Sequence, residues 1–223
     1  MNDLVSLIPA RGGSRGIKRK NLSDIGGMPL IAHSILASLG TSGIEKTYVS
    51  SEDREIKEVA NLYGAEVINR PMVYAGDESS TESVITHFFS QVKCNHVVLI
   101  QPTSPMIIVG DLQKGISVYF EGKYDSLFSA VRTNDMLIWD EECVYPLNYD
   151  PKNRGTRQTR RKSGLLIENG MFFIFSKKMY IKNHCRLGGK IGYSEVPFWR
   201  SFQIDEPNDL VHVRTLMTLK AKV

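Results

Sequence analysis

Three loop-like stretches concentrate the residues that could do chemistry. Ala10-Arg11-Gly12-Gly13-Ser14-Arg15-Gly16-Ile17-Lys18-Arg19-Lys20-Asn21 packs five cations into the ten residues from Arg11 to Lys20, interleaved with glycines. Glycine lets backbone N–H groups approach phosphate oxygens, and flanking cations neutralise them. The pattern G-G-x-x-G is neither the dinucleotide fingerprint G-x-G-x-x-G nor the Walker loop G-x-x-x-x-G-K-[ST]. A second stretch, Lys152 to Lys162, holds six cations in eleven residues. Two such clusters in loop sequence point to an anionic partner, either nucleic acid or a polyphosphate. No helix-turn-helix, zinc-finger or aromatic RNA motif accompanies them, so nucleic acid is not expected. The third stretch, Gln101-Pro102-Thr103-Ser104-Pro105, offers an amide and two hydroxyls in a proline-stiffened turn. The five histidines (33, 87, 96, 184 and 212) show no metal spacing and are read as structural or surface residues.

Something must hold these loops in place. Residues 4–9 form a short apolar run ending at the glycine loop, which predicts a buried strand. Ile31, Ile35 and Leu39 recur at helical spacing behind Pro29, and Ile56, Val59 and Leu62 do so behind Asp53, with Gly64 as terminator. Ser79-x-x-Glu82 reads as a capping box opening a helix whose inner face is Val84, Ile85, Phe88, Phe89 and Val92. Strands are expected at 44–50, 65–68, 96–101, 126–131 and 165–175, and helices at 111–121 and near the C-terminus. This alternation predicts an α/β fold with a mostly parallel, Rossmann-like sheet and helices on both faces. Ligands in such sheets bind outside the carboxyl ends of the strands, where the glycine loop and the 101–105 turn fall. The rhythm breaks over about 133–163, read as an inserted hairpin arm on a single domain spanning 1–223.

Composition bounds the rest. With 223 residues, 42% hydrophobic, 23% charged and a net charge of +4, the chain is an ordinary globular domain. Its longest apolar run, Met171 to Phe175, is five residues, so no membrane span is expected. The opening MNDLVSLIPARGG lacks the basic region of a signal peptide. Three cysteines, 49 and 42 residues apart, fit neither a zinc pattern nor a disulfide framework. A cytoplasmic location is the expectation.

Several of these motifs occur together in a known order. Pro9-Ala10-Arg11-Gly12-Gly13-Ser14-x-Gly16, Lys20-Asn21 and Gly26-Gly27-x-Pro29-Leu30-Ile31 resemble the start of the acylneuraminate cytidylyltransferases, the CMP-sialic acid synthetases. The likeness continues through Val49 to Asp53, Tyr63 to Val67, Asn69-Arg70-Pro71, Ala75-Gly76-Asp77 and Leu99 to Pro105. Pro146-Leu147-Asn148, Arg157-Gln158 and Glu168-Asn169-Gly170 follow. The stretch from Phe128 to Ile174 is most similar to sialate-type members.

The resemblance implies a nucleotide-diphospho-sugar transferase type of fold and a Mg²⁺-dependent reaction. The anomeric hydroxyl of a 2-keto-3-deoxy sugar acid attacks the α-phosphate of CTP, pyrophosphate leaves and a CMP-sugar forms. The acid is nine-carbon (sialate, KDN or legionaminate) or, alternatively, an eight-carbon Kdo-like octulosonate. It further implies Arg11 and Lys20 on the triphosphate, with Gly12, Gly13, Ser14 and Asn21 shaping the loop and base pocket. Arg70 and Thr81 fall near the nucleotide. Arg15, Lys18 and Arg19 are bystanders in this reading. Gln101, Thr103 and Ser104 orient the sugar, and Arg157 and Gln158 on the arm hold its carboxylate or a phosphate. The arm reaches a partner subunit in related enzymes, which implies a homodimer or a dimer of dimers.

One position departs from the pattern. Where the family reads D-I-D, this chain reads Gln203-Ile204-Asp205. Residues i and i+2 of a strand share a face, so both are expected toward the metal, Asp205 as carboxylate and Gln203 as a neutral oxygen. On this reading Gln203→Asp lowers the Mg²⁺ requirement. Asp209 is expected to complement the dipole of the last helix. A non-catalytic nucleotide-binding module with a disabled metal site is the alternative that Gln203 keeps open.

Overall fold

A computed structural model describes residues 3–133, 136–160 and 165–220. The first strand, β1 (Leu4–Pro9), lies at the centre of the main sheet and is buried along nearly its whole length. A continuous apolar run is what burial on both sheet faces demands. The chain then makes the small pair β2 (Asp24–Ile25) and β3 (Met28–Pro29), followed by α1 (Leu30–Leu39). Next come β4 (Thr47–Ser51), α2 (Arg54–Leu62), β5 (Glu66–Asn69), α3 (Thr81–Gln91), β6 (His96–Ile100), α4 (Val109–Glu121) and β7 (Ser126–Thr133). After the arm, β10 (Leu165–Ser176), α6 (Lys177–Asn183), β11 (Ile191–Glu195) and α7 (Pro207–Lys220) complete the described fold.

Seven strands form one sheet in the order β11-β7-β10-β6-β1-β4-β5. β1 pairs in parallel with β4 and β6, β4 with β5, and β11 with β7. The long β10 runs antiparallel to both β6 and β7. The sheet is thus mostly parallel, as expected, with one reversed strand. Alternate side chains serve opposite cores. Leu4, Ile8, Val98, Phe172 and Ile174 pack under α1, α2 and α4, through residues such as Ile31, Ile56 and Leu112. Val5, Leu7, Val97, Phe173 and Phe175 pack under α3 and α6, through Phe88 and Tyr180. Helices therefore cover both faces. A third cluster of Ile25, Leu30, Met106, Ile204 and Val213 joins α7 to the base of the glycine loop.

Local capping explains where helices begin. Asp53 accepts from the Ile56 N–H at 3.0 Å and opens α2. Ser80, one residue after the expected Ser79, caps α3 by accepting from Ser83 N–H at 3.1 Å. Between β7 and β10 lie the two-residue strands β8 (Trp139–Asp140) and β9 (Tyr145–Pro146), which pair antiparallel, and the one-turn α5 (Arg157–Arg160). Arg161 and Lys162 of the basic cluster lie outside the described residues.

Candidate active site

The glycine loop leaves the carboxyl end of β1 and is held from below. Gly12 N–H donates to Glu52 Oε1 at 2.6 Å, and a Cβ on Gly12 would come within 2.6 Å of Asp53 Oδ2. A Cβ on Gly16 would collide with the backbone carbonyl of Asp205. Those two glycines are required by close approach. Gly13 has nothing near its missing Cβ. Arg19 occupies the left-handed region at φ 59° and donates twice to Asp53, once at 3.1 Å, and pairs with Glu55 at 2.8 Å. It is bound to the scaffold, and Lys18 is exposed.

The loop, the start of α3, the turn after β6 and the segment before α7 enclose a cleft of 330 Å³. Of the residues predicted from sequence, Arg11, Gly13, Ser14, Lys20, Asn21, Arg70, Thr81, Gln101, Thr103 and Asp205 line this one cleft. Five segments meet here, at the carboxyl ends of the parallel strands, Arg70 after β5 being the fifth. Arg15, Gly16, Ser79, Ser80 and Glu206 also line it. Gly12 acts from beneath, through Glu52. Ser104 is fully buried with its hydroxyl unpartnered among the described residues, and the cleft lining does not include it. Its backbone closes the turn instead, donating to Gln101 O at 3.2 Å. Gln158 is exposed on α5 and lies outside the cleft lining, while the Arg157 side chain lies outside the described residues.

The cations in the cleft are already paired. Arg11 donates to Asp77 Oδ1 at 2.7 Å and to Gly76 O at 3.1 Å. Arg15 reaches the other oxygen of Asp77 at 3.5 Å. The Arg11 hydrogen bond is the main cause that holds the Asp77 carboxyl below the usual range. Lys20 donates to Asp205 Oδ1 at 2.8 Å. Arg70 is only 6% exposed and donates to Ser50 Oγ at 3.2 Å and to the Ser50 carbonyl. Burial pulls its pKa down to about 10, against the pull of Glu52, so it stays charged at neutral pH. Asn21 is equally buried. Its Nδ2 donates to Arg11 O at 3.0 Å, and its Oδ1 has no partner among the described residues.

The segment carrying Gln203 and Asp205 belongs to no strand, which corrects the expected strand placement. Ile204 N–H donates to Thr103 O at 2.8 Å, and Ile204 is buried in the third cluster. Gln203 Nε2 donates to Asn169 O, and its Oε1 accepts from Thr103 Oγ1 at 3.3 Å. Asp205 is the exposed member, its side chain 60% accessible. Asp209 accepts from the N–H groups of Asp205 and Glu206 at 2.9 and 2.8 Å, as a residue complementing the start of α7 should. Those backbone bonds depress its pKa.

Among the described residues, no three His, Cys, Asp or Glu side chains cluster as a metal cage. Mg²⁺ seldom needs one, since it keeps waters and takes one or two carboxylates plus substrate phosphates. Asp205, accessible and beside the cationic loop, fits that role. Sequence reasoning did not single out Glu52, Asp77, Ser79, Ser80 or Glu206 for this site. Asp77 carried a signal, the Ala75-Gly76-Asp77 motif, but not its partner.

The cytidylyltransferase family model matches residues 5–160. The chain is 36% identical over 211 residues to N-acylneuraminate cytidylyltransferase A of Danio rerio, covering 90% of this chain and 47% of that protein. It is 30% identical over 183 residues to pseudaminic acid cytidylyltransferase of Campylobacter jejuni, covering 78% of this chain and 68% of the relative. The chain spans about half the length of the first of these relatives. In fold it matches the solved structure of CMP:2-keto-3-deoxy-manno-octonic acid synthetase complexed with CTP, with a TM-score of 0.73 at 19% identity over 97% of this chain and 99% of that one. No described helix is long and apolar enough to cross a membrane. The sheet order, the cationic cleft at the strand ends and the match over most of the sequence agree, and the chain belongs to the cytidylyltransferase family.

Proposed function

We propose that this chain transfers CMP from CTP to the anomeric hydroxyl of an acylneuraminate-like 2-keto-3-deoxy sugar acid, releasing pyrophosphate. The observation that carries the reading is the convergence of five separate segments on one cleft rich in cations, amides and hydroxyls. The names of the relatives, which act on N-acylneuraminate and pseudaminic acid, favour a nine-carbon acid over an octulosonate.

Each residue has a task. Arg11 and Lys20 exchange Asp77 and Asp205 for triphosphate oxygens, so charge moves onto the ligand without stripping a cation bare. The unpartnered Asn21 Oδ1 is an acceptor suited to the exocyclic amine of cytosine, and buried Arg70 is a donor lining the same cleft. Thr81 contributes a hydroxyl to the nucleotide side. Gln101 and Thr103 orient the sugar without adding charge that would repel its carboxylate. Ser104 keeps the turn in shape. The sugar hydroxyl attacks the α-phosphorus, the bond to the bridging oxygen breaks, pyrophosphate departs and the hydroxyl proton passes to solvent. Asp205, together with the triphosphate oxygens, would hold Mg²⁺, which when bound would neutralise charge developing on the leaving group. Alignment and electrostatic stabilisation carry such displacements.

The arm completes the reading. Ile138, Trp139, Val144, Tyr145 and Leu147 expose apolar surface there, suited to a second copy of the chain and hence to a homodimer. Three free cysteines suit a reducing, cytoplasmic setting.

The test is pyrophosphate release with Mg²⁺. CTP, UTP, ATP and GTP would be paired in turn with N-acetylneuraminate, KDN, legionaminate, pseudaminate and Kdo. Release with CTP and one nine-carbon acid is the expected result. CTP binding without release on any acid would overturn the enzyme reading in favour of a nucleotide-binding module.

A further inference from the structure

Resting on the reading of the cleft as a cytidylyltransferase site, we propose that Gln203 is a positioning residue that ties the sugar-facing turn to the bulge of β10, and that it stands outside the metal's ligand set. Both ends of its amide are engaged. Nε2 donates to the carbonyl of Asn169, and Oε1 accepts from the Thr103 hydroxyl at 3.3 Å.

The two partners are themselves fixed. Asn169 is 7% exposed, and its Oδ1 accepts from Ser129 Oγ at 2.6 Å and from Met171 N–H at 3.2 Å. The register of β10 against β7 shifts between Glu168 and Phe173, which places Asn169 and Gly170 in an irregularity of the strand. Gly170 has φ +66°, and a Cβ there would come within 2.7 Å of Gln203 Nε2. The amide thus packs against a face that only glycine leaves open. On the other side, the turn after β6 is anchored by Gln101 N–H to Met171 O at 3.0 Å and by Ile204 N–H to Thr103 O at 2.8 Å. Gln203 closes this circuit with a side chain that reaches both Thr103 and the bulge.

The chemistry selects an amide. The position must accept a proton from a hydroxyl and donate one to a carbonyl, and a neutral amide does both. A carboxylate could accept from Thr103 but would set its lone pairs against the Asn169 carbonyl. Turning Oε1 toward a cation would release Thr103, the residue placed on the sugar. The amide therefore replaces a charge with a tie, and Asp205 carries the protein's share of the metal.

The experiment uses Gln203→Ala, Gln203→Glu, Thr103→Val and the double variant Thr103→Val/Gln203→Ala in the full chain. Mn²⁺ affinity of the CTP complex is read by electron paramagnetic resonance. Hydrogen exchange of the Ile204 and Gln101 amides and steady-state kinetics are the other readouts. Gln203→Ala should leave Mn²⁺ and CTP affinity unchanged within about twofold. It should speed exchange at Ile204 and lower kcat/KM for the sugar acid about tenfold, the scale of one or two lost hydrogen bonds. Gln203→Glu should fail to rescue. The double variant should be no worse than the more damaged single one, because both remove the same link. Mn²⁺ binding weakened fivefold or more by Gln203→Ala, or tightened as much by Gln203→Glu, would overturn the proposal. So would multiplicative effects in the double variant, or unchanged protection at Ile204. A chain that holds Mn²⁺ and CTP and loses Ile204 protection, yet turns over no sugar acid, would overturn the enzyme reading and leave the tie standing.

Discussion

Asp111→Ala should destabilise the fold by about 3–5 kcal/mol, because it strands a buried guanidinium. Asp111 and Arg200 are 5% and 7% exposed and pair through two bonds, one of them Arg200 Nη2 to Asp111 Oδ1 at 2.7 Å. The same carboxylate accepts from Ile108 N–H at 3.1 Å and so also closes the start of α4. Arg200 sits three residues before Gln203, so this pair clamps the segment that delivers Gln203 and Asp205 to the cleft. For a chain of this size a loss of about 4 kcal/mol corresponds to a fall in Tm of roughly 8–16 °C. Arg200→Ala should cost about as much. The double variant Arg200→Met/Asp111→Leu should cost less than about 2 kcal/mol, since apolar isosteres remove the desolvation penalty along with the attraction. Urea unfolding followed by circular dichroism, with the denaturant slope unchanged, measures all three. Single variants that lose less than about 1 kcal/mol, or a double variant near the sum of about 8 kcal/mol, would refute the reasoning that the pair is a desolvated clamp.

Other outcomes follow from the same geometry. Asp205→Asn should lower pyrophosphate release at least about a hundredfold while leaving the circular dichroism spectrum intact, because a positioned electrostatic group is lost. Gly16→Ala should weaken CTP binding and lower Tm, since its Cβ would meet the Asp205 backbone, whereas Gly13→Ala should leave Tm unchanged. Thermal melts with and without CTP separate the two. Burial pushes the Asp53 carboxyl up, but the Arg19 hydrogen bond and the Ile56 N–H outweigh it and hold it below its ordinary value. A depressed carboxylate contributes stability above its unfolded pKa and loses it as pH falls through the folded one. Asp53→Asn should therefore cost about 0.5–1 kcal/mol at pH 7, as for a partly exposed pair, and progressively less as pH falls below the ordinary carboxylate range, read from denaturation midpoints over that range.

Burial made the sheet legible. β1 and β6 are almost wholly apolar because parallel inner strands are covered twice, and their limits fell within one residue of those expected. The reversed direction of β10 was not legible, because an antiparallel strand buried on both faces has the same apolar pattern. The short α6 follows β10 with no linker, and β11 is five residues with a glycine inside, so neither develops a period long enough to read. In the cleft, residue types were legible and pairings were not. The cationic loop announces an anion, but its resting partners Asp77 and Asp205 lie 66 and 185 residues away. Ser104 looks like a site hydroxyl until its full burial is known. Gln203 shows only that a charge has gone, and its partners depend on how β10 bulges.

The 185 residues between Lys20 and Asp205 also set a clock. A chain made from its N-terminus at about 5–20 residues per second exposes the cationic loop roughly 10–40 s before the carboxylate that will face it has been synthesised. Throughout that interval the loop is a patch of positive charge with no resting place for Lys20. Contacts of such span form late and slow the search for the native state. CTP, by engaging only the completed cleft, would pull that last docking step forward by mass action. On the proposed reading, the nucleotide would then favour the folded form of the newly made chain before turnover begins.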